Sequence, residues 1–218
     1  MMRPARVLAA VAALVSLIAG TGQAQSKSGG APGATPALQT VVFAAGCFWG
    51  VEAVFEHVKG VKSVVSGYAG GTVVNPDYET VSTGRTGHAE SVRVMFDPSV
   101  VSFETLLKVF FTVAHDPTEL NRQGPDVGTQ YRSAVFFTSP EQEKATKDAI
   151  AQLTAAKTFR APIVTEVKAL TKFYNAEAYH QNYLYSHTTQ PYIVYNDLPK
   201  IDALKQQYPA LWEETKGK

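Results

Sequence analysis

The chain has 218 residues, 45% of them hydrophobic and 18% charged, with a formal charge of +1. That length suits one substantial core rather than several, and a chain with 11 Phe and 10 Tyr is too apolar to be disordered throughout. The balanced charge excludes a nucleic-acid footprint and a polybasic membrane anchor, while the single cysteine, Cys47, excludes an internal disulfide framework, a CxxC pair and a multi-thiolate metal site.

In chain order, Arg3 and Arg6 precede an apolar run from Val7 to Ala19, and small residues follow to Ala24. This is the layout of a secretory signal peptide over 1–24 with a cut near Ala24; the run is shorter than the roughly 20 residues of a spanning helix. The expected destination is a bacterial periplasm or the medium. Residues 25–38 are mostly Ser, Gly, Ala and Pro with little to bury, which predicts a flexible linker and places a single folded domain at 39–218.

Val41 to Ala45 is a continuous apolar run, the mark of a strand buried on both faces. Val51, Val54, Phe55 and Val58 then repeat at helical spacing, with Gly60 as a stop. Val61 to Tyr68 reads as a second strand, and Val92, Val94 and Phe96 alternate in a third. Phe103, Leu106, Leu107, Phe110 and Phe111 make one stripe, so 102–114 reads as an amphipathic helix. A fourth strand is expected from Tyr131 to Phe137. Ser139-Pro140-Glu141-Gln142 is a capping box opening a helix to about Lys157. A fifth strand at Ile163 to Leu170 and a short tyrosine-rich helix at Ala176 to Leu184 complete the reading. The order strand, helix, strand, strand, helix, strand predicts an α/β (α+β) two-layer sandwich, with a mixed sheet, helices on one face and a ferredoxin-like plait at its centre. The long connections 69–89 and 115–129 are of the kind that carries function.

Chemistry can sit at Cys47, inside Gly46-Cys47-Phe48-Trp49-Gly50 at the strand-to-helix junction. A thiol there meets the positive end of the helix dipole, which favours the thiolate; the alternative is a buried, inert cysteine. Phe48 and Trp49 can enclose an S-methyl group or simply pack. Glu90 shares strand parity with Val92, Val94 and Phe96. On the apolar side its carboxyl is held protonated and can serve as a general acid; the alternative is a strand end turned to solvent. Asp126, Tyr131 and Tyr78, from the two long connections, can complete a polar network around a substrate oxygen. None of His57, His88, His115, His180 and His187 has metal-ligand spacing, so no metal site is expected.

These residues resemble the peptide methionine sulfoxide reductase family, the A type that acts on the S epimer. The resemblance covers nearly all of 41–184. It rests on Gly46-Cys47-Phe48-Trp49-Gly50, Gly67-Tyr68-Ala69-Gly70-Gly71, Asn75-Pro76-Asp77-Tyr78, Thr86-Gly87-His88-Ala89-Glu90, the segment from His115 to Ser133, and Ala178-Tyr179-His180-Gln181-Asn182-Tyr183-Leu184. It implies a nucleophilic Cys47 thiolate, Glu90 as proton donor, Tyr78 and Tyr131 as donors to the sulfoxide oxygen, Phe48 and Trp49 around the methyl, and Asp126 as organiser. It also implies no cofactor and oxidised proteins or free methionine sulfoxide as substrates; a monomer is a separate expectation. Many relatives carry a resolving cysteine just after Gln-Pro-Tyr; here Gln190-Pro191-Tyr192 is followed by Ile193. A sulfenic acid on Cys47 therefore needs an external reductant, a small thiol or a thioredoxin-like protein. Two other readings are a cysteine hydrolase with His88, His115 or His180 as base, and a silent module that binds oxidised methionine through Phe48 and Trp49.

Overall fold

A computed structural model describes residues 37–214; the expected signal peptide, and all of the expected linker but its last two residues, lie outside them. The first strand, β1 (Gln39–Ala45), is buried on both faces as its apolar run requires. Val41, Phe43 and Ala45 face the main core, and Val42 and Ala44 face a smaller cluster with Ala69, Ala89, Ala134 and Phe136. The chain continues through α1 (Phe48–Glu56), β2 (Val61–Ala69), α2 (Tyr78–Ser82), β3 (Ala89–Phe96) and α3 (Phe103–Val109). A small hairpin, β4 (Arg122–Gln123) and β5 (Asp126–Val127), precedes β6 (Ser133–Phe137), α4 (Pro140–Ala155), β7 (Glu166–Ala169) and β8 (Phe173–Asn175). The short α5 (Tyr183–Ser186) and α6 (Leu198–Gln207) follow.

Strands run in the order β7-β6-β1-β3-β2-β8. The inner four, β6-β1-β3-β2, are antiparallel neighbours, the order of the expected plait; β7 joins parallel to β6 and makes the sheet mixed. Side chains of α1, α3, α4 and α6 pack on the same core cluster, so these helices lie on one face. Its centre is Phe43, stacked on Phe55 at 5.0 Å and on Phe110 at 4.8 Å between ring centroids; burying each such ring contributes about 2–3 kcal/mol. Ser139 caps α4 by accepting the Gln142 N–H. The Gln142 side chain does not return to Ser139 but accepts from Thr138 N–H and donates to Thr40 C=O, tying α4 to β1.

Four elements differ from expectation. The helix expected over 102–114 widens into a π-helical turn at Phe110–Ala114, where the His115 ring bonds the Phe110 carbonyl at 3.0 Å. Tyr131 ends a 3-10 turn, and the fourth strand starts only at Ser133. The cause is Arg132, whose guanidinium is bonded to the carbonyls of Thr129 and Gly87 and to Glu166. The fifth strand is shorter, beginning at Glu166, because Val164 N–H is engaged by the Pro117 carbonyl. The tyrosine-rich segment is broken at Asn182, whose φ of 56° separates a 3-10 turn at Ala178–His180 from α5.

Candidate active site

Cys47 follows β1 through Gly46, which turns the chain at φ 85°. A Cβ at that position would lie 2.6 Å from the Gln123 side chain, so glycine is required there by both conformation and space. The thiol stands one residue before α1 and is 7% exposed. Burial pushes it well above its ordinary range, Glu90 and Asp197 push the same way, and Trp49 N–H and Lys200 oppose them. The helix terminus was expected to favour the thiolate; here desolvation outweighs it, and the resting group is a thiol.

Glu90 opens β3 opposite Tyr68 of β2 and points to the helix face. It is 2% exposed, so it does not turn to solvent, and Oε2 accepts the Phe48 N–H at 3.1 Å. Burial pushes its carboxyl up to about 8, against the Phe48 N–H and assisted by Asp126 and Asp197. The carboxyl thus sits beneath the first turn of the helix that Cys47 precedes, protonated at neutral pH.

Cys47, Glu90, Phe48, Trp49, Tyr78, Asp126 and Tyr131 line one cavity of about 250 Å³ together with Gln190 and Tyr192. This is smaller than the roughly 300–1,000 Å³ of a drug-sized site and suits a single side chain. One wall is aromatic: Phe48 lies 6.0 Å from Tyr68 and 5.0 Å from His180, and the Trp49 indole stacks on Tyr183 at 3.9 Å. The opposite side is polar. Burial raises the hydroxyls of Tyr78 and Tyr131 above the usual tyrosine range, keeping them proton donors, and the Tyr192 hydroxyl donates to Asp126. Tyr78 is placed by Glu177, which accepts its N–H at 2.9 Å and the Tyr68 hydroxyl at 2.8 Å. A larger depression of about 700 Å³ along the outer edge of β2, lined by Val61, Val64, Gln181 and Tyr185 among others, contains neither the thiol nor Glu90.

The family model for peptide methionine sulfoxide reductase matches residues 39–211. The chain belongs to the peptide methionine sulfoxide reductase family. Among curated relatives, a peptide methionine sulfoxide reductase MsrA 2 of Mesorhizobium japonicum is 56% identical over 83% of this chain and 93% of its own length. An MsrA of Deinococcus radiodurans is 50% identical over 85% and 89%. Among solved structures, methionine sulfoxide reductase A of Corynebacterium diphtheriae superposes with a TM-score of 0.62 at 38% identity, over 70% of this chain and 76% of that one. Reduced Mxr1 of Saccharomyces cerevisiae gives 0.63 at 32%, over 70% and 87%. As a member of this family the chain is an enzyme that reduces methionine sulfoxide.

The candidate site also contains residues that motif reading did not single out. Tyr192 and Gln190 come from the Gln190-Pro191-Tyr192 segment, which the sequence marks only by its missing thiol. Asp197 is fully buried, bonded to Lys200 at 3.1 Å and pressed on the first turn of α1; an Asp before Leu198-Pro199 is a helix-start signal that could have found it. Of the three candidate bases of the hydrolase reading, His88 and His115 are engaged away from the thiol, and His180 packs behind the cavity wall with its Nε2 buried and without a hydrogen-bond partner among the described residues. His88 bonds Gly71 N–H and the Val73 carbonyl, His115 bonds Phe110 and Ser133, and His180 accepts from the Trp49 indole. Among the described residues no group of three or more His, Cys, Asp and Glu is placed to hold a metal ion.

Proposed function

We propose that this reductase acts on the S epimer of methionine sulfoxide, with Cys47 as nucleophile and Glu90 as proton donor. The observation that carries the reading is the buried Glu90 carboxyl beneath α1, pushed up to about 8 by that burial, in one side-chain-sized cavity with the chain's single thiol. The substrate methyl rests against Phe48 and Trp49, where ring faces attract methyl groups and polarisable sulfur. Its oxygen faces Glu90 and the hydroxyls of Tyr78 and Tyr131, with Asp126 organising the rim through Tyr192. Glu90 gives its proton to the oxygen as the Cys47 sulfur attacks the substrate sulfur, and the thiol proton restores Glu90. The hydroxyl group so formed passes from the substrate sulfur to the Cys47 sulfur as the bond between the two sulfurs breaks, its electron pair staying on the methionine sulfur. The substrate is reduced by two electrons to methionine, and Cys47 is oxidised by two electrons to a sulfenic acid.

With one cysteine in the chain, the sulfenic acid is resolved by an external thiol, on a small molecule or a thioredoxin-like protein. That thiol forms a mixed disulfide and releases water, and a second thiol frees Cys47. The pattern of residues 1–24 supports export, so the donor acts outside the cytosol. Incubating the reduced enzyme with the separated epimers and no reductant tests the reading by intact mass. One oxygen on Cys47 is expected after the S epimer and none after the R epimer. Methionine formed in stoichiometric amount with Cys47 unmodified would overturn it.

A further inference from the structure

We infer that Glu52 is a positioning residue for the substrate wall, holding the Asn182 backbone and through it fixing the Trp49 indole. Glu52 lies on α1 three residues after Trp49, on the same side of the helix, and is 1% exposed. Its Oε2 accepts the Asn182 N–H at 2.9 Å. Asn182 occupies the left-handed region at φ 56°, ψ 25°, where the chain turns between two short helical pieces. On one side of that turn stands His180, whose Nδ1 accepts the Trp49 Nε1–H at 3.1 Å. On the other side stands Tyr183, whose ring lies over the indole at 3.9 Å and 12° and is backed by His187 at 3.7 Å.

These two contacts constrain the indole in different ways. The hydrogen bond acts in the ring plane and fixes its rotation, whereas the stack acts on its face and fixes its tilt. Both come from the segment whose middle residue Glu52 grips, and Glu52 belongs to the rigid element that carries Trp49. The bond from Glu52 to Asn182 therefore sets the distance between the indole and both of its restraints. Gln181, the neighbouring residue, anchors the same segment to the sheet instead, pairing with Ser66 N–H and C=O at 2.9 and 3.0 Å. Burial, reinforced by nearby Glu56, pushes the Glu52 carboxyl up to about 7. A neutral amide in its place keeps an acceptor for the same N–H.

The inference rests on Trp49 forming the substrate wall, and its test has one readout that needs no substrate. The chain has two tryptophans, so in a Trp212→Phe background the fluorescence is that of Trp49 alone. In that background Glu52→Ala is expected to shift the Trp49 emission to longer wavelength, lower its anisotropy and raise the sulfoxide KM about tenfold, the scale of one lost hydrogen bond, with kcat much less affected. Glu52→Gln is expected to restore emission and KM, since its Oε1 accepts the Asn182 N–H. Adding Glu52→Ala to Trp49→Ala is expected to raise KM no further.

Wild-type emission and KM in Glu52→Ala would overturn the inference. So would a Glu52→Gln variant that behaves like the alanine variant, or a KM effect that persists without Trp49. Should Glu52→Ala fail to fold, Glu52→Asp, with a shorter reach, takes its place, and an unchanged Trp49 emission there overturns the inference equally. If the parent enzyme shows no turnover of the S epimer, the reading of the function fails; the emission of Trp49 still decides the role of Glu52.

Discussion

Glu90 and Cys47 are both held protonated by burial, yet the proposed reaction asks different things of them. The acid must keep its proton until the oxygen arrives, and the sulfur must lose one as it attacks. Burial pushes Glu90 up to about 8, so the competent form is present below that pH and is lost as pH rises through it. The expected kcat profile for the S epimer, with saturating dithiothreitol, therefore falls on the alkaline side near pH 8. Glu90→Gln keeps the shape of the side chain but removes the proton. It should lower kcat by about 10²–10⁴, the range of a general acid, and abolish that alkaline fall. A glutamine variant that keeps more than a tenth of wild-type kcat would remove Glu90 from the role.

At the scale of elements, the site is made where α1 meets the turn Ile193–Asp197 that leads into α6. Gly50 is the contact point. A Cβ there would lie 2.1 Å from Asp197 Oδ1 and 2.6 Å from its Cγ. Replacing an internal helix glycine by alanine normally stabilises a helix by about 0.5–1 kcal/mol, but overpacking a close contact costs about 1–3 kcal/mol. Gly50→Ala should therefore lower the melting temperature by several degrees. Because Tyr192 is the residue before that turn, the sulfoxide KM should rise several-fold too. A variant more stable than the parent in differential scanning fluorimetry would show that the turn has room to give. Local patterns were enough for β1, read from its apolar run, and for the inward face of β3, read from the parity of Glu90. The left-handed Asn182, the clamp of Arg132 across two loops and the thiol's raised pKa were not readable in that way. Each depends on distant segments: the first two on contacts with Glu52 and Gly87, the third on burial of the thiol, with Glu90 and Asp197 adding to it. The strands β4, β5 and β8 are two or three residues long, too short for any periodicity to show.

For the whole molecule, the buried titratable groups set how stability varies with pH. Glu52 and Glu90 are raised from 4.5 to about 7 and about 8. Above pH 4.5 the folded chain keeps protons there that the unfolded chain sheds, so each carboxyl makes stability fall as pH rises, by at most about 1.4 kcal/mol per pH unit. His115 acts in the opposite sense. Its burial lowers it from 6.5 to about 4, so between these values the unfolded chain carries the extra proton and stability rises with pH. Asp126 and Asp197 are raised by burial as well, and His57 and His180 lowered by it, so these four carboxyls oppose the three imidazoles where the windows overlap, and above pH 6.5 the carboxyls act unopposed. On the acid side, Glu166 and Glu177 are held below the usual carboxylate range by their hydrogen bonds and neighbouring cations. Their stabilisation is complete above 4.5 and is lost as pH falls through their folded values. Urea midpoints should therefore peak near about pH 5 and decline toward pH 8. Glu52→Gln, which has no proton to lose, should flatten the decline up to about pH 7 and leave the remainder, to about pH 8, to Glu90. A parent midpoint at pH 8 equal to that at pH 5 would show that the folded chain does not hold these protons, and with them would go the protonated acid on which the proposed reaction depends.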